Sequence, residues 1–346
     1  MSVNPTLVEV TRGPLVESTH TGSLVVAAIS GPPQLALGDT TRPVFPRSAI
    51  KLIQALPLIE TGAADRFGFG DAEIALACGS HAGAERHVRV ARGMLDKLGL
   101  PATCLVCGAA EPQGAKARQV LAASGGGPTV FHHNCSGKHA GMLAAALTLG
   151  ATAGGYADHQ HAVQRHIHRA LSELTGLALT SDVRGVDGCC VPTWAVPLDT
   201  LARVFAKLAT GAGLSPHRQS AVTRILNACW AQPELVSGLG RADTVVMSEL
   251  PGKIYMKPGA EGVYCGAFPE LGLGFALKMD DGASRASAAA VMPLIERLLP
   301  EAKGLVKRSV LRTPAGLEVG TIRTSAAYEQ ALAAMSHRTE ELRPEL

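Results

Sequence analysis

The chain has 346 residues, 47% of them hydrophobic, with a formal net charge of +3. That composition supports a sizeable buried core and argues against disorder. The charge is too small, and Lys and Arg too scattered, for a nucleic-acid or anionic-membrane partner, and seven Phe, four Tyr and two Trp leave little material for base-stacking platforms.

The N-terminus, MSVNPTLVEVTRG, has no basic region followed by an apolar run, so a cytoplasmic location is expected. Residues 6–10 and 23–29 read as strands, and 35–39 continue a hairpin. The stretch from Pro43 to Pro46 breaks regularity, and a helix follows from about Arg47 to Glu60. Asp71 opens a short helix, and Ala84 to Leu98 forms another. Gly125 to Gly127 with Pro128 make a loop. A helix begins near Lys138, and the uncharged stretch from Gly141 to Tyr156 reads as a buried core helix rather than a membrane span. Further helices are expected at about 159–175, 197–210 and 217–231. Then KIYMKPG, EGVYCGAF and LGFALKM read as three short strands, and a last long helix fits 283–299 with a kink at Pro293. Strands at both chain ends with helices between them predict an α+β fold. Its antiparallel sheet is built from N- and C-terminal strands, with packed helices and a helical insertion. The expected organisation is one domain over 1–346, with a sheet part at about 1–60 and 245–346 and a mainly helical part at about 61–244.

Chemistry-bearing residues cluster in four places. Ser48 and Lys51 form the only S-x-x-K of the chain, three apart on a helix and so on one face. A serine hydroxyl needs a base to become a nucleophile, and a lysine is one only when its pKa falls. The second place is CGSHAG, with Ser80 and His81 just after a short helix. The third is KPG, with Lys257 on a C-terminal strand ahead of a glycine that leaves room for substrate. An S-x-x-K, an intermediate serine motif and a later K-x-G follow the order of acyl-serine enzymes that recognise penicillins. The fourth is HHNCSGKHAGM with the downstream VDGCCVPTW, bringing Cys135, Lys138, His139, Asp187, Cys189 and Cys190. Thiolates and imidazoles are soft zinc ligands, and spacing alone leaves open a metal site or two buried structural thiols. The eight cysteines, in a chain without an export signal, read as free thiols rather than a disulfide framework. The single C-x-x-C of Cys104 and Cys107 reads as incidental, GLGLGF as a tight turn, and the acids of LKMDDG as a solvated turn or helix cap.

Taken together, RSAIK, CGSHAG, HNCSGKHAGML, DGCCVPTWAVPL and LKMDDG, spread from about residue 7 to about residue 290, resemble the asparaginase II family, the rhizobial type of L-asparaginase. The resemblance implies a fold of the serine β-lactamase and penicillin-binding type. It also implies hydrolysis of L-asparagine to L-aspartate and ammonia, and a homodimer. On the matching positions it implies two Ser-Lys pairs, Ser48 with Lys51 and Ser80 with Lys257, with Ser48 the expected nucleophile. Cys135, Lys138 and Cys189 match the family's Zn²⁺ ligands. Arg47, His81, His139 and Asp187 are expected around substrate or metal. The alternatives are a glutaminase or penicillin-recognising enzyme, and a non-catalytic zinc-dependent amino-acid sensor.

Overall fold

A computed structural model describes residues 4–335 and divides them into two compact units. One gathers the described residues up to Ala49, Val196–Ala212 and the described residues from Lys253 onward. The other gathers Ile50–Ala195 and Gly213–Gly252.

The first unit is organised by one antiparallel sheet. Its order is Val310–Arg312, Glu318–Thr324, Thr6–Arg12, Leu15–Ala27, Leu273–Met279, Val263–Phe268 and Tyr255–Pro258, with Leu35–Leu37 beside Leu15–Ala27. The long Leu15–Ala27 strand ties the two ends of the chain together. Its first half pairs with Thr6–Arg12, and its second half pairs with Leu273–Met279, Val25 opposite Ala276. Val263–Phe268 is buried along its whole length and Leu273–Met279 everywhere except Lys278. Strands apolar at successive positions need cover on both faces, supplied by the helices Leu198–Thr210 and Ser284–Leu298. The first comes so close that a Cβ on Gly274 would sit 2.5 Å from Ala206 N. Leu198–Thr210 falls inside the stretch that the sequence reading gave to the helical part, yet it packs on this sheet. The strand Glu318–Thr324, which pairs Val8 with Thr324, and the helix Ala326–Ala334 were not anticipated from sequence. Tyr328 joins that helix to Ser284–Leu298, donating from its hydroxyl to Ala290 O at 2.9 Å.

The second unit is helical around Ser136–Thr148, buried at every position from Ser136 to Ala146. This helix ends at Thr148, earlier than the uncharged stretch suggested; the chain then loops before Ala162–Thr175. Small residues let it lie against Asp71–Ala77: a Cβ on Gly137 would meet Leu76 O at 2.6 Å, and one on Gly141 the Ala77 Cβ at 3.1 Å. Pro216–Ala231 starts as its sequence dictates, with Pro216 in the first turn and Ser215 Oγ accepting from Arg218 N at 3.3 Å. The helix Ala115–Ala123 was not read from the sequence. Among the described residues no helix is long and apolar enough to cross a membrane.

Three helices of this unit are tied by one buried carboxylate. Glu60, with a side chain only 4% exposed, takes Arg218 Nε at 2.7 Å and His166 Nε2 at 2.6 Å, and Arg218 also reaches Glu173 at 2.6 Å. Burial by itself would raise the Glu60 pKa. The hydrogen bonds from His166 and Arg218 outweigh it and hold the carboxyl at about 2. A carboxyl depressed in the folded state stabilises the fold above its ordinary pKa and loses that contribution as the pH falls toward the folded value. Glu60 therefore contributes fully above pH 4.5 and progressively less down to about 2, a contribution on the order of 3 kcal/mol. Glu60→Gln is expected to lower urea stability at pH 7 by about 2–3 kcal/mol and to flatten the stability profile between pH 4.5 and 2. Parallel profiles for the two proteins would contradict this.

Candidate active site

The second unit holds a compact polar cluster in an otherwise apolar interior. Lys51, on the short helix Lys51–Gln54, has no exposed surface. An unpaired ammonium there is prohibitively costly, and Lys51 Nζ is accordingly engaged by the Gly79 carbonyl, by Ser80 Oγ at 3.0 Å and by Asn134 O at 3.5 Å. Burial pushes its pKa down, and the negative charge of Cys135 opposes the shift.

Ser80 follows the helix Asp71–Ala77 on an extended segment that neighbouring backbone clamps. Ser80 N donates to Val236 O at 2.8 Å, His81 N to Asn134 O at 3.2 Å, and Ala82 N to Ser237 O at 2.7 Å. Arg241 Nη1 donates to Ser80 O at 3.1 Å. The glycine of CGS is set by packing, since a Cβ on Gly79 would meet Leu235 O at 2.6 Å. His81, expected at the substrate, is fully buried with both ring nitrogens engaged by protein. Gly83 N donates to its Nδ1 at 3.2 Å, so the ring proton sits on Nε2, 2.9 Å from Ser136 Oγ. Ser136 Oγ in turn donates to Phe131 O at 3.1 Å. Burial first, and then the neighbouring His87, hold the imidazole neutral, and the two rings stack at 4.9 Å. His81 thus joins the Ser80 segment to the turn that carries Cys135.

Cys135, Lys138 and Cys189 are all buried, and Lys138 Nζ donates to Cys189 Sγ at 3.0 Å. Cys135 is the thiolate, held far below its usual pKa by the hydrogen bond from Cys189 and by nearby lysine charge, while Cys189 is pushed up by the same bond. Burial alone would lower the Lys138 pKa, but the negative charge at Cys135 and the hydrogen bond to Cys189 raise it above the ordinary lysine value. Of the vicinal thiols, Cys189 faces this cluster and Cys190 is exposed. Cys190 holds φ at +73° in a turn closed by its N–H to Asp187 O at 2.8 Å. Asp187 also accepts from Gly188 N at 2.7 Å and lowers the local potential at Lys138. Among the described residues no group of three His, Cys, Asp or Glu side chains is placed to hold a metal. A zinc ion here therefore depends on the lysine. Two converging buried sulfurs and an amine fit a soft dication, which would replace the protons they now hold.

The first unit holds the remaining candidates. Ser48 lies on the 3₁₀ turn Arg47–Ile50, preceded by Arg47 at φ +52°. That left-handed conformation costs a non-glycine residue about 1–2 kcal/mol and is the kind of strain that concentrates at functional positions. Lys257 is fully buried on Tyr255–Pro258, paired opposite Cys265. The glycine of KPG has a different purpose from the one its motif suggested. A Cβ on Gly259 would meet Pro46 O at 2.6 Å and Ala49 N at 3.3 Å, so its absence makes room for the backbone of the Ser48 turn rather than for substrate.

His139 was singled out in the sequence, but the partner that orients it was not. Its Nδ1 lies 2.6 Å from the hydroxyl of Tyr156, which sits in a Gly-rich loop without periodicity or any motif to mark it. The eight cysteines are unbridged, and burial lifts Cys107 to about 12, leaving it an inert thiol.

No curated protein sequence matches the chain. Among solved structures the chain is similar to a β-lactamase from Mycobacterium bovis, at 12% identity over 81% of this chain and 94% of that one, with a TM-score of 0.40. The family model of L-asparaginase II matches residues 8–324, from the first sheet strand to the strand Glu318–Thr324 that pairs with it. That match takes in every cluster described above, and the chain belongs to the L-asparaginase II family.

Proposed function

We propose that this chain is an L-asparaginase that releases ammonia from the side-chain amide of L-asparagine by acyl transfer to serine. The observation that carries the reading is Lys51. It is a fully buried amine with two backbone carbonyls and the Ser80 hydroxyl around its nitrogen. A neutral amine in that position spends two hydrogens on the carbonyls and keeps one lone pair able to take a hydroxyl proton, as a general base must; the hydroxyl within reach in the structure is that of Ser80. The family's pattern supplies Ser48, three residues earlier in the chain, as the nucleophile.

In the proposed reaction the Ser48 oxygen attacks the amide carbon, and Lys51 takes the hydroxyl proton. The tetrahedral intermediate collapses, the C–N bond breaks, and ammonia departs with a proton returned from the lysine. Ser80, hydrogen-bonded to Lys51, passes protons onward, with Lys257 as its partner in the second Ser-Lys pair. Water then cleaves the β-aspartyl ester by the reverse sequence. Backbone N–H groups near Ser48 stabilise the oxyanion. Arg47 and Asp187 are assigned to binding the charged ends of the amino acid, and His81 to positioning. Cys135, Lys138 and Cys189 are proposed to hold Zn²⁺, which when bound supplies a Lewis-acidic anchor for a polar group of the substrate.

Two measurements test this reading. Ammonia release is expected from asparagine and to be far weaker from glutamine; a preference for glutamine, or a stable adduct with a β-lactam, would assign the chain to a different acyl-serine activity. Binding of either amino acid without turnover would favour the sensor. Zinc content, measured on purified protein by atomic emission, is expected to be near stoichiometric. It should fall at least tenfold in Lys138→Met and Cys189→Ser, with Cys190→Ser unchanged, because ligand loss typically removes most of a site's affinity. Loss of zinc in Cys190→Ser alone would reassign the ligand.

A further inference from the structure

Among the described residues, one buried ring nitrogen of the second unit has no partner. His139 is fully buried, and its Nε2 meets no hydrogen-bond partner among the described residues. Leaving such a group unsatisfied costs about 1–3 kcal/mol; His81 avoids it with both nitrogens engaged, while the buried His20 shares it at its own Nε2. The rest of the ring is held with care. Tyr156, also fully buried, places its hydroxyl 2.6 Å from His139 Nδ1, with the two rings edge to face at 84°. Tyr156 is held at both ends: Val106 N donates to the phenol oxygen at 3.1 Å, and the buried Gln164 donates to the Tyr156 backbone carbonyl at 2.9 Å.

Hydrogen-bond accounting then assigns the tautomer. The phenol oxygen accepts from Val106, and among the described residues His139 Nδ1 is the only acceptor in reach of its own hydrogen. Burial pushes the phenol pKa up, so that hydrogen stays on the oxygen. Nδ1 is therefore the acceptor, and the ring proton lies on Nε2. The result is a fixed N–H donor one residue after Lys138, in the helical turn that carries the sulfur and amine cluster.

We infer that Tyr156 is a positioning residue. It locks His139 in the Nε2–H tautomer, so that this N–H donates to an oxygen of the bound amino-acid substrate. The inference rests on the asparaginase reading above for the identity of that substrate, but the tautomer does not. Tyr156→Phe keeps the ring and removes the hydroxyl. It is expected to lower kcat/KM for asparagine about tenfold, mostly through KM, the effect of losing one well-oriented hydrogen bond. His139→Gln carries an amide N–H at the Nε2 position without needing the phenol, and in that background Tyr156→Phe is expected to change kcat/KM less than about twofold. The ¹⁵N shifts of His139 should report a protonated Nε2 and a bare Nδ1 in the wild-type protein and a tautomer mixture in Tyr156→Phe.

Equal losses in both backgrounds would overturn the inference by making Tyr156 a packing residue. So would a wild-type ring protonated on Nδ1, or an unchanged kcat/KM with a shifted tautomer, which would mean that Nε2 meets only water. If asparagine is not turned over, the substrate reading fails separately, and the ¹⁵N measurement with amino-acid titration still decides whether Nε2–H receives a ligand.

Discussion

The constraint on which this structure depends is the burial of lysine. Lys51, Lys138 and Lys257 are among the largest fully buried side chains of the chain. Lysine is seldom fully buried, because a desolvated ammonium without partners is far costlier than any single packing contact returns. The chain meets that cost with backbone carbonyls at Lys51 and Lys257 and with sulfur at Lys138. In the second unit these demands shape everything nearby. The Ser80 segment is pinned by Val236, Ser237 and Asn134 so that Gly79 O and Ser80 Oγ converge on one nitrogen. The Ser136–Thr148 helix is buried around a lysine because Cys135 supplies compensating charge and Cys189 accepts its hydrogen bond. Core histidines are held neutral around them.

Sterics do the rest of the positioning, through motif residues whose side chains are absent. Gly79, Gly137 and Gly259 each remove a Cβ that would collide with backbone within 2.6 Å. This explains in packing terms why chemistry-bearing residues and glycines alternate in CGSHAG, NCSGKHAG and KPG. Each glycine sits one or two positions from a buried polar side chain (Ser80, Lys138 and Lys257), because bringing such a side chain into a dry cluster also brings its backbone against another segment.

Much of the fold could be read from periodicity and punctuation. The strands 255–258, 263–268 and 273–279, the helices 85–98, 198–210 and 216–231, and a sheet fed from both ends of the chain all followed from alternation, apolar spacing and Gly/Pro breaks. What escaped had weak local signals. Glu318–Thr324 has a strand's pattern only through its pairing with Thr6–Arg12, more than 300 residues away in the chain. Leu198–Thr210 reads as a helix but not as a helix of the sheet unit, because nothing local tells an apolar stripe what it will face. In the site, spacing pointed to Ser48, Lys51 and the cysteines, and family resemblance added Lys138 as an expected ligand. The Ser80–Lys51 contact, the engagement of His81 with Ser136 and the choice of Cys189 over Cys190 are tertiary facts. They depend on segments 29, 55 and 51 residues apart meeting in space. Tyr156 carried no signal beyond being one of four tyrosines.

The central claim is that a serine of this chain becomes transiently acylated, with Lys51 as the base. The most direct measurement is peptide mass spectrometry after rapid acid quench, using a slowly turned-over β-ester or anilide of aspartate. The account predicts a β-aspartyl adduct on the peptide carrying Ser48, lost in Ser48→Ala and not formed in Lys51→Met. No adduct on any serine in an enzyme that still releases product, or an adduct that persists in Lys51→Met at the wild-type rate, would contradict it.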